Sequence, residues 1–106
     1  LWADLALCAG GSTLWELAAF GLPALAVVLA ENQQGGVSAC ETAGSVVSLG
    51  CADGLSHTAV ASQLAMLLDD AARRQAMTDA GLRLVDGDGA RRVMQAMWQL
   101  TYGQAA

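Results

Sequence analysis

Residues 3–34, ADLALCAGGSTLWELAAFGLPALAVVLAENQQ, carry the strongest structural signals in the chain. Residues 3–9 are a short apolar run stopped by Gly10 and Gly11, and residues 24–30 are a second, more continuous one. Apolar runs of this length suit parallel strands covered on both faces. Between them the spacing predicts a helix. Thr13 and Glu16 stand at capping-box spacing, in which hydroxyl and carboxylate each satisfy an orphan N–H of the first turn. Leu14, Leu17 and Ala18 supply an apolar face. Gly21 suits the left-handed end of a helix, and Pro23 prevents its resumption.

Outward from there, residues 45–49 form a third apolar run, stopped by Gly50. A second helix is expected over 33–42 despite the costly pair Gly35-Gly36. A third is expected over 56–68, with Val60, Leu64, Leu67 and Leu68 at helical spacing, and a fourth over 71–81. Gly87-Asp88-Gly89 reads as a turn. A fifth helix is expected over 90–100, with Val93, Met94, Met97 and Trp98 on its apolar side, before a frayed tail at 102–106. The order β-α-β-α-β followed by helices predicts an α/β fold, a Rossmann-like parallel sheet with flanking helices. Right-handed crossovers put both strand-to-helix loops on the carboxyl edge, where open parallel sheets bind ligands. Those loops are Gly10, Gly11, Ser12 and Thr13, and Glu31, Asn32, Gln33 and Gln34.

A chain of 106 residues that is 55% hydrophobic and 14% charged predicts one packed domain and excludes disorder. It begins at Leu1, directly on an apolar run, which predicts a fragment whose apolar surface partly belongs against further sequence. Ten acidic against five basic residues leave no basic stripe, so no nucleic-acid partner is expected. Any phosphate must then be held mainly by backbone N–H groups. Residues 14–30 are interrupted by Glu16, Gly21 and Pro23, so no transmembrane segment is expected, and no signal peptide is visible. Cys8, Cys40 and Cys51 are odd in number and widely spaced, which predicts buried, reduced thiols in a cytoplasmic protein. With His57 the sole histidine, no metal site and no cofactor are expected.

Each candidate group has two readings. Gly10 and Gly11 let the backbone approach a ligand, and the helix start with Ser12 and Thr13 favours an anion; alternatively the segment is a tight turn with an N-cap. It is neither GxGxxG nor a phosphate loop ending in Lys. Glu16 either closes the capping box or accepts the two ribose hydroxyls of a nucleotide. Glu31, Asn32 and Gln33 offer donors and acceptors suited to sugar hydroxyls, or else begin a solvated helix capped by Asn32. His57, beside Ser56 at a helix start, is not assigned a catalytic role. Trp2, Trp15 and Trp98 read as core or interface aromatics, and Asp69, Asp70, Asp86 and Asp88 as helix-end and turn residues.

Taken together, Ala3-Asp4-Leu5-Ala6, Gly10 through Glu16, Gly21-Leu22-Pro23, Ala30 through Gln33 and Val85 through Val93 resemble the UDP-sugar hydrolases of pseudaminic acid biosynthesis. These act on UDP-linked 2,4-diacetamido-2,4,6-trideoxy-altrose. More distantly, Thr13, Glu16, the Gly-Leu-Pro and the Asn-Gln pair resemble the carboxy-terminal domain of the lipid II-forming N-acetylglucosaminyltransferases, glycosyltransferase family 28. The resemblance implies part of the C-terminal domain of a GT-B fold, with residues 1–101 as the nucleotide-sugar-binding domain and 102–106 as a tail. It implies that the backbone and hydroxyls of Gly11, Ser12 and Thr13 hold the diphosphate, with Gly10 in the same nucleotide-binding turn, and that Glu16 holds the ribose. It also implies that Asn32 and Gln33, with Glu31 beside them in the sugar/diphosphate-binding group, face the diphosphate or sugar. The expected reaction is hydrolysis of a UDP-sugar to UDP and free sugar. Its base would be a histidine of an amino-terminal domain, the expected partner, so no catalytic residue is assigned here and the chain alone is expected to be inactive. The alternatives are the donor-binding domain of a UDP-N-acetylglucosamine-type glycosyltransferase and a non-catalytic nucleotide-binding module.

Overall fold

The computed structural model of the chain describes residues 2–103. Three parallel strands, β1 (Ala6–Ala9), β2 (Ala24–Val28) and β3 (Val46–Cys51), lie in the order β1-β2-β3. Helix α1 (Thr13–Ala19) joins the first two, and α2 (Gln34–Ala43) joins the second pair after a 3₁₀ turn at Glu31–Gln33. After β3 come a second 3₁₀ turn, Ala52–Gly54, and helices α3 (His57–Asp69), α4 (Ala71–Leu84) and α5 (Gly89–Tyr102). This is the expected α/β architecture with flanking helices.

The central strand explains the apolar run that encodes it. Ala24, Ala26 and Val28 are buried with Leu14 of α1 and with Val37 and Cys40 of α2. Leu25 points to the other face, buried with Leu67 of α3 and Met77 of α4. Alternate residues thus serve two cores, so no polar position is left in the strand. Pairing runs Ala6 to Ala24 and Ala9 to Val27 on one side, and Ala24 to Val46 on the other.

Several sequence expectations shift. β1 begins only at Ala6, because its partner β2 begins at Ala24. β3 does not stop at Gly50. The register between β2 and β3 slips by one residue between Ala26 and Val28, so Val28 pairs with Cys51. Gly50, at φ 81°, supplies the left-handed backbone that such a bulge favours. Gly21 takes φ 69° as expected for the end of α1. Leu68, expected on the packed face of α3, is exposed, and α4 and α5 each extend beyond their predicted carboxyl ends. Of the predicted tail, Tyr102 belongs to α5, and residues 104–106 lie outside the described residues.

The tryptophans are not core. Trp2 and Trp98 are well exposed, and Trp15 is 40% exposed. Nor are all thiols buried: Cys40 is buried, Cys8 half-buried and Cys51 exposed. The apolar side of α5 exists as predicted, but Val93, Met94, Met97 and Trp98 are all exposed and nothing covers it among the described residues. No described helix is long and apolar enough to cross a membrane.

Candidate functional site

Because β1 and β2 are parallel neighbours, the loops that leave Ala9 and Val28 emerge on one edge of the sheet. The Gly10 N–H donates to the Val27 carbonyl at 2.9 Å, fixing the first loop to the second strand. The Gly11 carbonyl accepts from Leu14 N–H at 3.2 Å, and the Ser12 carbonyl accepts from Trp15 N–H at 3.1 Å. These two carbonyls are therefore used within the fold. The N–H groups of Gly11, Ser12 and Thr13 make no hydrogen bond among the described residues. Three successive unpaired donors stand at the carboxyl edge, a chemistry that suits an anion.

The second loop meets the first through Gln33. The Leu29 N–H donates to Gln33 Oε1 at 2.9 Å, leaving the Nε2 amide as a donor. That nitrogen lies 3.8 Å from where a Cβ on Gly11 would stand. A Cβ on Gly10 would lie 3.4 Å from Gln33 Cβ and would collide with the Cγ2 methyl of Val37. Gly10 is thus demanded by packing, while at Gly11 a side chain would approach the Gln33 amide.

The predicted caps do not form. Ser12, rather than Thr13, is the N-cap residue of α1, with helical φ −60° and ψ −22° and no side-chain hydrogen bond. A capping oxygen reaches its target from extended backbone, which Ser12 lacks. Glu16 stays exposed, and its carboxylate closes no capping box. Asn32 does not cap α2 either; it sits inside the 3₁₀ turn, and Gln33, itself helical at φ −88°, holds the N-cap position. Ser12, Thr13, Glu31 and Asn32 are exposed, and Gln33 is half-buried.

A cavity of about 260 Å³ opens between the carboxyl ends of β2 and β3. Val28, Leu29, Ala30 and Ala52 give it apolar walls; Glu31, Gln34, Cys51 and Asp53 give it polar ones. Of the predicted site residues only Glu31 lines it. Cys51, Ala52 and Asp53 escape the sequence reading because β3 is expected to end before Gly50. The readable signal was topological: the loop after a third parallel strand falls on the same edge as the first two. His57 opens α3 shortly beyond this loop, is exposed and does not line the cavity.

Burial pushes the Cys8 and Cys40 thiols up from their ordinary values, aided at Cys8 by the neighbouring Cys40 and opposed at Cys40 by its hydrogen bond with Ser45. Both are held as neutral thiols and are poor nucleophiles. Among the described residues no group of three or more His, Cys, Asp or Glu side chains is placed to hold a metal ion.

No family model matches the chain. Curated relatives do. A Mycobacterium bovis (strain BCG / Pasteur 1173P2) protein is 37% identical over 109 aligned positions, covering 98% of this chain and 26% of the relative. A Methylococcus capsulatus protein is 36% identical over 97 positions, covering 87% and 27% respectively. A Mycolicibacterium paratuberculosis protein is 38% identical over 99 positions, covering 89% and 24%. All three bear the name UDP-N-acetylglucosamine–N-acetylmuramyl-(pentapeptide) pyrophosphoryl-undecaprenol N-acetylglucosamine transferase.

The chain is a partial C-terminal domain of the GT-B fold. Its sequence is glycosyltransferase-like, and it spans about a quarter of the length of the curated relatives it matches. The expectation of a UDP-sugar hydrolase in pseudaminic acid biosynthesis is therefore corrected: these relatives are transferases by name. The alternative expectation, a glycosyltransferase donor domain, is the one they support.

Proposed function

We propose that this GT-B domain, residues 1–101, binds the UDP end of a UDP-linked sugar in a glycosyltransferase. The donor class implied by the relatives' names is UDP-N-acetylglucosamine, and the acceptor class is a lipid-linked muramyl pentapeptide. The reading is carried by one observation: three unpaired N–H groups at Gly11, Ser12 and Thr13 beside the Gln33 amide on the carboxyl edge.

In this reading those N–H groups, with the Ser12 and Thr13 hydroxyls, hold the diphosphate, and Gly10 lets the loop lie close to α2. Glu16, free of any capping bond, accepts the ribose hydroxyls. Glu31, Asn32 and Gln33 face the diphosphate or the sugar. An acceptor hydroxyl attacks the anomeric carbon as UDP leaves, and the fixed N–H donors stabilise the charge that develops on the leaving diphosphate. No residue of this chain is assigned the base. In this reading that role belongs to a further domain of the same polypeptide.

The test is calorimetric titration of UDP into the polypeptide carrying this chain. Glu16→Gln is expected to weaken binding about tenfold, since hydrogen bonds to a charged acceptor contribute roughly 1.5–3 kcal/mol, while the helix signal is unchanged. Equal UDP affinity in the two proteins would remove Glu16 from the site. Transfer only when the lipid-linked acceptor is supplied separates a transferase from a non-catalytic binding module.

A further inference from the structure

The carboxyl edge carries two regions of opposite chemistry. At Gly11, Ser12 and Thr13 it presents unpaired N–H donors. The cavity between β2 and β3 is lined instead by the acidic residues Glu31 and Asp53 and by Gln34, with no cation among the lining residues. A diphosphate placed in that cavity would meet two like charges in a partly enclosed space, which disfavours it. A neutral group rich in hydroxyl and amide N–H donors meets acceptors instead. Val28, Leu29, Ala30 and Ala52 add apolar contact for a ring face or a methyl group. The volume, about 260 Å³, suits one monosaccharide ring rather than a whole nucleotide sugar.

The two regions are joined by one short loop. Gln33 stands beside Gly11, while its neighbours Glu31 and Gln34 line the cavity. A ligand with an anionic centre and an adjoining neutral ring can therefore occupy both at once. We propose that the cavity is the subsite for the uncharged, hydroxyl- and amide-bearing sugar of the nucleotide sugar, and that Asp53 is a specificity-determining acceptor for its hydroxyls. This rests on the reading of the edge as a UDP-sugar site. Neither Asp53 nor the loop after β3 belongs to the Gly10–Glu16 or Glu31–Gln33 segments assigned above.

Cys51 supplies a reporter without any mutation, because it is exposed and lines the same cavity. Alkylation of Cys51 in the polypeptide carrying this chain is followed by mass spectrometry with saturating UDP or saturating UDP-N-acetylglucosamine. The sugar nucleotide is expected to slow the modification about tenfold, and UDP less than twofold. In parallel, Ala52→Trp, which fills the cavity, is expected to weaken UDP-N-acetylglucosamine about tenfold, a shift of roughly 1.4 kcal/mol, and UDP less than twofold. Asp53→Asn, which alters no volume, is expected to weaken the sugar nucleotide alone. Equal protection of Cys51 by both ligands, or unchanged sugar-nucleotide affinity in Ala52→Trp, overturns the subsite while leaving the UDP reading intact. Failure of the unmodified protein to bind either ligand overturns the UDP reading, and the subsite with it.

Discussion

Gly10 is not among the glycines with a left-handed backbone, yet its place in the turn tolerates no side chain. A Cβ there would collide with Val37, which is fully buried and β-branched, so the methyl in its path is held in one strongly preferred rotamer. Gly10→Ala is expected to cost about 1–3 kcal/mol, the usual range for overpacking, read as a lowered urea midpoint at unchanged slope. An unchanged midpoint would show that the turn moves freely against α2. From the sequence, Gly10 and Gly11 look alike, and the contact that separates them lies with a residue 27 positions away. Thr13 and Glu16 show a similar limit. Their spacing is legible, but a cap depends on the backbone angles of one residue, and Ser12 took that position in a helical conformation. The residues that would grip UDP also say little about what attacks the sugar, which is why the motif alone pointed to a hydrolase.

At the scale of elements, what was legible is what local chemistry writes directly. The continuous apolar run of β2, the stop at Gly21 and Pro23, and the alternation of strand and helix gave the fold. The course of β3 was not legible, because an inserted residue at a bulge looks in sequence like a terminating glycine. Contacts between helices were equally silent. Gly81 of α4 crosses α1 so closely that a Cβ would stand 3.0 Å from the Ala18 carbonyl oxygen and 3.1 Å from its Cα. In an isolated helix Gly→Ala gains about 1 kcal/mol. Here the steric cost of roughly 1–3 kcal/mol exceeds that gain, so Gly81→Ala is expected to destabilise by about 1 kcal/mol net. A more stable Gly81→Ala protein in thermal unfolding would mean that the two helices can separate slightly at no cost.

The start of α5 makes a second prediction at this scale. Asp86 accepts from Arg92 at 2.6 Å and from the Asp88 N–H at 2.9 Å. The Arg92 hydrogen bond, then that of the Asp88 N–H, lowers the Asp86 carboxyl from 3.8 to about 2. A depressed folded value means that the stabilisation is present above the unfolded value and is lost as pH falls from near 4 through 2. Both side chains are exposed, so the pair contributes little and is weakened by salt. The measurable quantity is the titration midpoint itself. Arg92→Gln is expected to return it toward 3.8 by NMR, and a midpoint that stays near 2 would assign the shift to the backbone N–H instead.

For the molecule as a whole, the contrast is between a sheet covered on both faces and a terminal helix covered on neither. Leu67 of α3 is fully buried against Leu25, whereas Met97 of α5 is 62% exposed. Trp98 and Tyr102 pack against each other, with ring centroids 4.3 Å apart and planes tilted by 44°. The 61 Å long axis against 30 and 21 Å describes an elongated shape, unlike a body packed equally on all sides. Short helices held without tertiary packing are marginal in water, because nucleating the first turn fixes several residues for a single hydrogen bond. Stability in this chain should therefore be unevenly spread. Leu67→Ala is expected to cost about 2–5 kcal/mol, the range for emptying a packed site. Met97→Gln is expected to change stability by no more than about 0.5 kcal/mol, as at other exposed positions. Amide exchange supplies the independent check: β2 should be protected up to the global unfolding limit, and α5 should exchange well before it. If α5 proved as protected as β2 in the 106-residue chain, its apolar side would already have found cover, in a second copy or against the chain itself. Protection that appears only in a longer polypeptide would instead place the cover in the part of the protein beyond this domain, and would make Met97→Gln costly there and harmless here.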